Sequence, residues 1–163
     1  MHFNNLQWLF PIAVALHNAE EAIWMPGWAD LHAKWLMRIY LPGKGGQIRV
    51  ALLTLTGAAF FVTYWSWRKG AGSVQAYLLF GCVVAMLANV FVPHVPATLA
   101  FRAYTPGVVT AAAINWPVMS WLAWAAVRDG WVSGWKAVFF AVGVPIGIAV
   151  LIVVFFLFGK VFR

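Results

Sequence analysis

Five runs of mostly apolar residues, at 6–25, 49–67, 74–93, 105–127 and 135–162, leave this chain little choice of fold. About 20 apolar residues suffice to cross a hydrocarbon core of roughly 30 Å as a helix. No water reaches that core to satisfy bare peptide groups, so each run closes its own hydrogen bonds as a helix. The expected fold is all-α and integral to the membrane: a five-transmembrane-helix bundle forming a single domain over residues 1–163. A content of 64% hydrophobic against 9% charged residues leaves too little polar surface for a soluble domain of this length. Trp24, Trp28, Trp65, Trp67, Trp131 and Trp135 fall at the run ends, where amphipathic rings settle at the headgroup level.

The connections differ from the runs. Over 28–40, Trp28, Leu31, Trp35 and Ile39 recur at helical spacing, with Asp30, Lys34 and Arg38 opposite. This predicts one interfacial amphipathic helix between the first and second spans. The loop Pro42-Gly43-Lys44-Gly45-Gly46 lacks the spacing of a phosphate-binding loop and reads as a connector. A net charge of +7 is dispersed over these connections, which makes it a topology signal and excludes a nucleic-acid partner. With the N-terminus outside, Lys34, Arg38, Lys44, Arg49, Arg102, Lys160 and Arg163 lie on the cytoplasmic side, against Arg68, Lys69, Arg128 and Lys136 outside. That balance favours an outer N-terminus and a cytoplasmic C-terminus. Residues 1–7 carry no Lys or Arg, so no cleaved leader is expected. Cys82 is a lone cysteine and reads as inert packing.

Two of the four acidic residues, Glu20 and Glu21, stand together in the first run, three and four residues after His17. A charge in hydrocarbon costs about 2.5–3.5 kcal/mol even on a lenient insertion scale, which makes an intramembrane ionisable group a functional-site hypothesis. On a helix the two glutamates flank His17 by roughly 60° on one side and 40° on the other, so all three side chains can aim at one point. The competing reading is a protonated pair that serves only helix packing.

An imidazole with a carboxylate one turn away is a spacing from which helix bundles build metal sites. A catalytic Zn²⁺ takes three protein ligands, and the third is expected from His94, because the first and third spans run parallel and end at one membrane face. His94 as a headgroup contact is the bland alternative. Asn89 sits five residues earlier and could donate a hydrogen bond into the same cavity, while Arg102, Tyr104 and the Pro106-Gly107 turn return the chain beside it. His32 is a further possible ligand. Asn89 and Asn115 also fit plain interhelical hydrogen bonding. Gly143 and Gly147 form a G-x-x-x-G pair, a possible homo-oligomer face.

The stretch His17-Asn18-Ala19-Glu20-Glu21 resembles the motif of the HXXEE domain family of small bacterial integral membrane proteins, and His94 and Arg102 resemble its later histidine and arginine. The resemblance implies an intramembrane catalytic or metal site in a bacterial cytoplasmic membrane, and brings no established reaction. The paired glutamates are also similar in logic to intramembrane CAAX-type proteases. Here, however, the histidine precedes the glutamates and no arginine follows them at the expected spacing.

The function expected is a membrane-embedded metal-dependent hydrolase acting on a lipid or lipid-linked substrate near the cytoplasmic interface. His17, Glu21 and His94 bind one divalent ion, Zn²⁺ being the first choice, Glu20 acts as general base, and Arg102 holds a lipid phosphate or developing oxyanion. The roles of Glu20 and Glu21 are exchangeable on this reading. The alternatives are a metal-free acid/base isomerase of a polyprenyl or sterol-like lipid and a proton-coupled carrier or ligand-binding protein. The number of ligands disfavours two-metal sites and rules out a histidine-rich desaturase.

Overall fold

The computed structural model describes residues 2–32 and 45–161, with the backbone alone at 152, 153 and 155–161. The described residues are mostly helical, with no strand among them. In chain order the helices are α1 (Phe3–Leu6), α2 (Leu9–Leu31), α3 (Gly45–Lys69), α4 (Val74–Asn89), α5 (Val95–Phe101), α6 (Val108–Thr110), α7 (Trp116–Arg128) and α8 (Gly134–Val161). Two π-helical turns, Val90–His94 and Ala111–Asn115, join α4 to α5 and α6 to α7.

Four helical segments are long and apolar enough to cross a membrane: Gly45–Lys69, Val74–Phe101, Val108–Arg128 and Gly134–Leu151. The fifth expected span coincides with α2, which has 23 residues but does not join that set. The cause is the residues that make it interesting, since His17, Asn18, Glu20, Glu21 and Asp30 all lie on it. The expected interfacial helix at 28–40 begins inside α2, which continues to Leu31, and residues 33–44 lie outside the described residues.

Helix α4 is the centre of the arrangement and packs against α3, α7 and α8, while α2 packs on α3. Their shared core joins Phe10, Ala13 and Val14 of α2 with Leu79, Phe80 and Val83 of α4 and Met119 and Leu122 of α7. Gly81 sets the closest approach. A Cβ there would sit 2.7 Å from the Phe140 carbonyl oxygen and 2.5 Å from a Val144 methyl, so only a residue without a side chain lets α4 and α8 meet. Leu53, Phe61, Val138 and Phe139 point outwards and are exposed, as lipid-facing side chains would be. Gly143 and Gly147 also face open space.

The π turn at Val90–His94 aims the site. Pro93 disfavours the helical region for the residue before it, and Val92 is accordingly extended at φ −148°, ψ 109°. The helix resumes at once, and the kink turns His94 into the protein, where it is 3% exposed. At the opposite end Asp129 accepts the Phe3 backbone N–H at 2.7 Å and Phe3 packs on Trp131, which ties α1 to the end of α7.

Candidate functional site

His17 and Glu21 lie one turn apart on α2, and the π turn carries His94 to them. Glu21 Oε1 is 3.7 Å from His17 Nε2 and 3.4 Å from His94 Nε2. The two rings meet edge to face with centroids 4.9 Å apart. Both histidines are buried, and the Glu21 side chain is 14% exposed. The three ligand atoms all lie within 4.8 Å of one another, so the group could hold a metal ion. Bonds of about 2.1 Å in a tetrahedral site put neighbouring ligand atoms about 3.4 Å apart. The two measured carboxylate–imidazole separations are close to that edge.

The third side chain of the motif goes elsewhere. Successive helical residues diverge by about 100°, and Glu20 points away from the ion-sized gap towards the start of the Val108–Arg128 run. It accepts the backbone N–H groups of Thr110 at 2.8 Å, Gly107 at 3.2 Å and Val109 at 3.4 Å, the Tyr104 hydroxyl at 2.7 Å, and the Thr110 hydroxyl. These are the free N–H groups and the positive end of a membrane helix, a favourable seat for an anion. The expectation that His17, Glu20 and Glu21 converge on one point therefore holds for His17 and Glu21, while Glu20 serves the helix end.

Glu20 is nevertheless linked to His17 through Thr110. Its hydroxyl donates to Glu20 Oε2 and so keeps a lone pair for His17 Nδ1, 3.0 Å away. This network assigns His17 the Nδ1–H tautomer, with the Nε2 lone pair facing Glu21 and His94. A ligating histidine commonly donates its second ring N–H to a carboxylate, and here a hydroxyl stands between them.

Gly107 closes the site from above. Its φ is +87°, and a Cβ would fall 2.6 Å from His94 Cε1, 2.9 Å from His17 Cε1 and 3.0 Å from Glu21 Cγ. The turn rests against all three candidate ligands at once. Thr105 fastens it, with its hydroxyl 2.6 Å from that of Thr98 and 3.5 Å from the His94 carbonyl. On the other flank Asn18 pins α2 to α3 by donating to the Leu52 carbonyl and the Thr56 hydroxyl.

The remaining expected residues divide. Asn89 is at the centre, with Nδ2 3.3 Å from His17 Nε2 and 3.1 Å from His94 Nε2. Tyr104 binds Glu20 at the mouth, and burial together with that carboxylate holds its phenol above the usual range, so it remains a donor at neutral pH. Arg102 is exposed at the C-cap of α5 in a left-handed conformation, with no hydrogen bond or ion pair to the site among the described residues. His32 stacks on Trp28 with centroids 4.4 Å apart and meets Phe101 edge-on, away from the three ligands. Asn115 is fully buried, and its amide has no partner among the described residues. Neither Thr110 nor the contact of Gly107 with the ligands is evident from the sequence. The available signal was a Pro-Gly pair and a threonine at the start of an apolar run.

Two grooves of about 510 Å³ each open beside this end of α2. One is lined by Glu20, Trp24, Tyr104, Val109 and Thr110, the other by Ile23, Trp24, Gly27, Trp28, Leu31, Tyr104 and Pro106. Trp24 and Tyr104, in edge-on contact at 6.5 Å, border both.

Fold and site together define a helical protein built for a membrane, with a buried His-Glu-His group able to hold a metal ion at one end of its helices. The model of the family described as "Protein of unknown function with HXXEE motif" matches residues 8–122, and the chain belongs to that family. It is similar to the protein described as "Uncharacterized protein YrkK" of Bacillus subtilis (strain 168), 29% identical over 111 residues, which cover 68% of each chain. No solved structure matches the chain.

Proposed function

We propose that the chain is a membrane-embedded, metal-dependent hydrolase acting on a lipid or lipid-linked substrate. The observation that carries this is the approach of Glu21 Oε1 to His17 Nε2 and His94 Nε2 at 3.7 Å and 3.4 Å, with all three ligand atoms within 4.8 Å of one another. Two imidazoles and one carboxylate suit Zn²⁺, which is the ion we favour. A bound Zn²⁺ supplies Lewis acidity and brings the pKa of water down to about 7. The chain contributes the rest. Glu21 supplies the one formal negative charge among the three, Thr110 and Glu20 orient His17, and Gly107 with Thr105 holds the lid turn down. Glu20 already accepts five donors, so we assign it positioning in place of general-base work. The aromatic grooves beside Glu20 and Tyr104 support an apolar chain as the occupant, with its polar group towards the site.

The wider reading places α2 as a fifth span in one domain, followed by an interfacial helix at 28–40. It puts the N-terminus outside and the site near the cytoplasmic interface of a bacterial cytoplasmic membrane. The open Gly143/Gly147 face is the candidate for self-association.

The test is elemental analysis of the full chain purified in detergent without tag or chelator. About one equivalent of metal is expected in the parent and none in His17→Ala; a metal-free parent after supplemented growth would remove the reading. Chelator-resistant turnover that fails in Glu21→Gln would instead select the metal-free isomerase, which the 3.4 Å Glu21–His94 contact also permits. pH-dependent transport without turnover would select the carrier.

The relay carries its own prediction. Thr110→Val is expected to lower metal affinity about 10- to 100-fold, and Thr110→Ser to retain it, as read by competition with a chromophoric chelator. Parent-level affinity in Thr110→Val would show that the hydroxyl does not orient His17.

A further inference from the structure

We propose that Asn89 is a fourth protein ligand of the metal site, through its side-chain carbonyl oxygen. The inference rests on the metal reading above and adds a ligand to it.

Asn89 ends α4, and the next five residues form the π turn that ends at His94. Helical geometry breaks at Val92, and across that kink Asn89 and His94 turn their side chains to the same point, Nδ2 to Nε2. The terminal amide nitrogen lies 3.3 Å from His17 Nε2 and 3.1 Å from His94 Nε2. They are comparable with the 3.7 Å and 3.4 Å separations of Glu21 from the same two nitrogens. The amide end of Asn89 is therefore placed to serve as the remaining corner of a four-ligand set.

The proton inventory decides which amide atom belongs there. His17 Nδ1–H is committed to Thr110, which leaves one lone pair on Nε2. A metal takes that lone pair and its counterpart on His94, so both acceptors of the Asn89 NH₂ group disappear. The N–H hydrogens would then face a cation. A half-turn of the amide exchanges its nitrogen and oxygen with almost no change of shape, and the two atoms are assigned only from such networks. The half-turn puts a carbonyl oxygen at the corner, where it is a competent ligand for a borderline or hard divalent ion.

The resulting set is two imidazole nitrogens and two oxygens, with no thiolate. It suits Zn²⁺, Fe²⁺ or Mn²⁺ over Cu⁺. A reacting water would have to join such a set as a fifth ligand, a coordination number that catalytic zinc sites can reach.

The experiment titrates Co²⁺ into the full chain in detergent, in the parent and in Asn89→Ala and Asn89→Asp, recording visible d–d bands and affinity by chelator competition. Thermal unfolding without metal checks that each variant is folded. The expected result is an affinity loss of more than about 10-fold in Asn89→Ala, with a changed band pattern, and recovery in Asn89→Asp, which restores an oxygen donor. Bands in Asn89→Ala identical to the parent would overturn the proposal, whether or not affinity falls, because Asn89 would then act from outside the coordination shell. A folded parent that binds no Co²⁺ would overturn the metal reading itself, a distinguishable failure.

Discussion

Gly107→Ala is expected to abolish metal binding although it removes no ligand. The added methyl would lie within 3.0 Å of an atom of each of His94, His17 and Glu21, far inside ordinary contact. The rings cannot swing clear, because Thr110 holds one and Asn89 touches both. The turn cannot lift freely either, because Thr105 ties it to Thr98 and the Gly107 N–H is bonded to Glu20. A left-handed backbone adds about 1–2 kcal/mol for any residue with a Cβ. Elemental analysis beside circular dichroism checks the outcome, with metal lost and helix content kept. Gly130→Ala is the matched control. It has a φ of +67° but nothing within 4 Å of its Cβ, so it bears the backbone strain without touching the site. Parent-level metal in Gly107→Ala would mean that the turn does not rest on the ligands as the geometry has it.

Much of this architecture is legible in the sequence because a membrane is an unforgiving solvent. Apolar runs can only be helices there, and a His-Glu-Glu group inside one is costly enough to mark a candidate site. Parity of the spans was enough to bring His94 towards His17, since parallel helices end at the same face. What the sequence does not carry is the division of labour between adjacent carboxylates. That depends on which neighbour each meets across the bundle, and the neighbour of Glu20 is Thr110, 90 residues away. Gly107 is invisible for the same reason: its Pro-Gly signal announces a turn, not the rings beneath it. Arg102 shows the converse, since nearness along the chain to His94 and Tyr104 leaves it exposed at a helix cap, without a bond to the site among the described residues.

The adjacent glutamates are expected to fail in opposite ways when each is replaced by leucine. Glu20→Leu withdraws an acceptor from three backbone N–H groups at the start of a membrane helix and from the Tyr104 and Thr110 hydroxyls. Neither lipid nor the leucine can replace it, and the positive end of the helix loses its counter-charge. A stability loss of about 3 kcal/mol follows, visible as a lower midpoint of thermal unfolding in detergent with chelator present. Glu21→Leu removes a carboxylate whose polar partners, among the described residues and without metal, are the two histidines. Its unfolding midpoint should stay near that of the chelated parent, because a desolvated carboxylate returns little to the fold. Its metal content should fall to background. The contrast between the two variants is the informative quantity, because both delete one negative charge from consecutive positions of one helix. Equal midpoints for the two under chelator would refute the split between a helix-capping and a metal-binding glutamate, and would return both side chains to a single shared role.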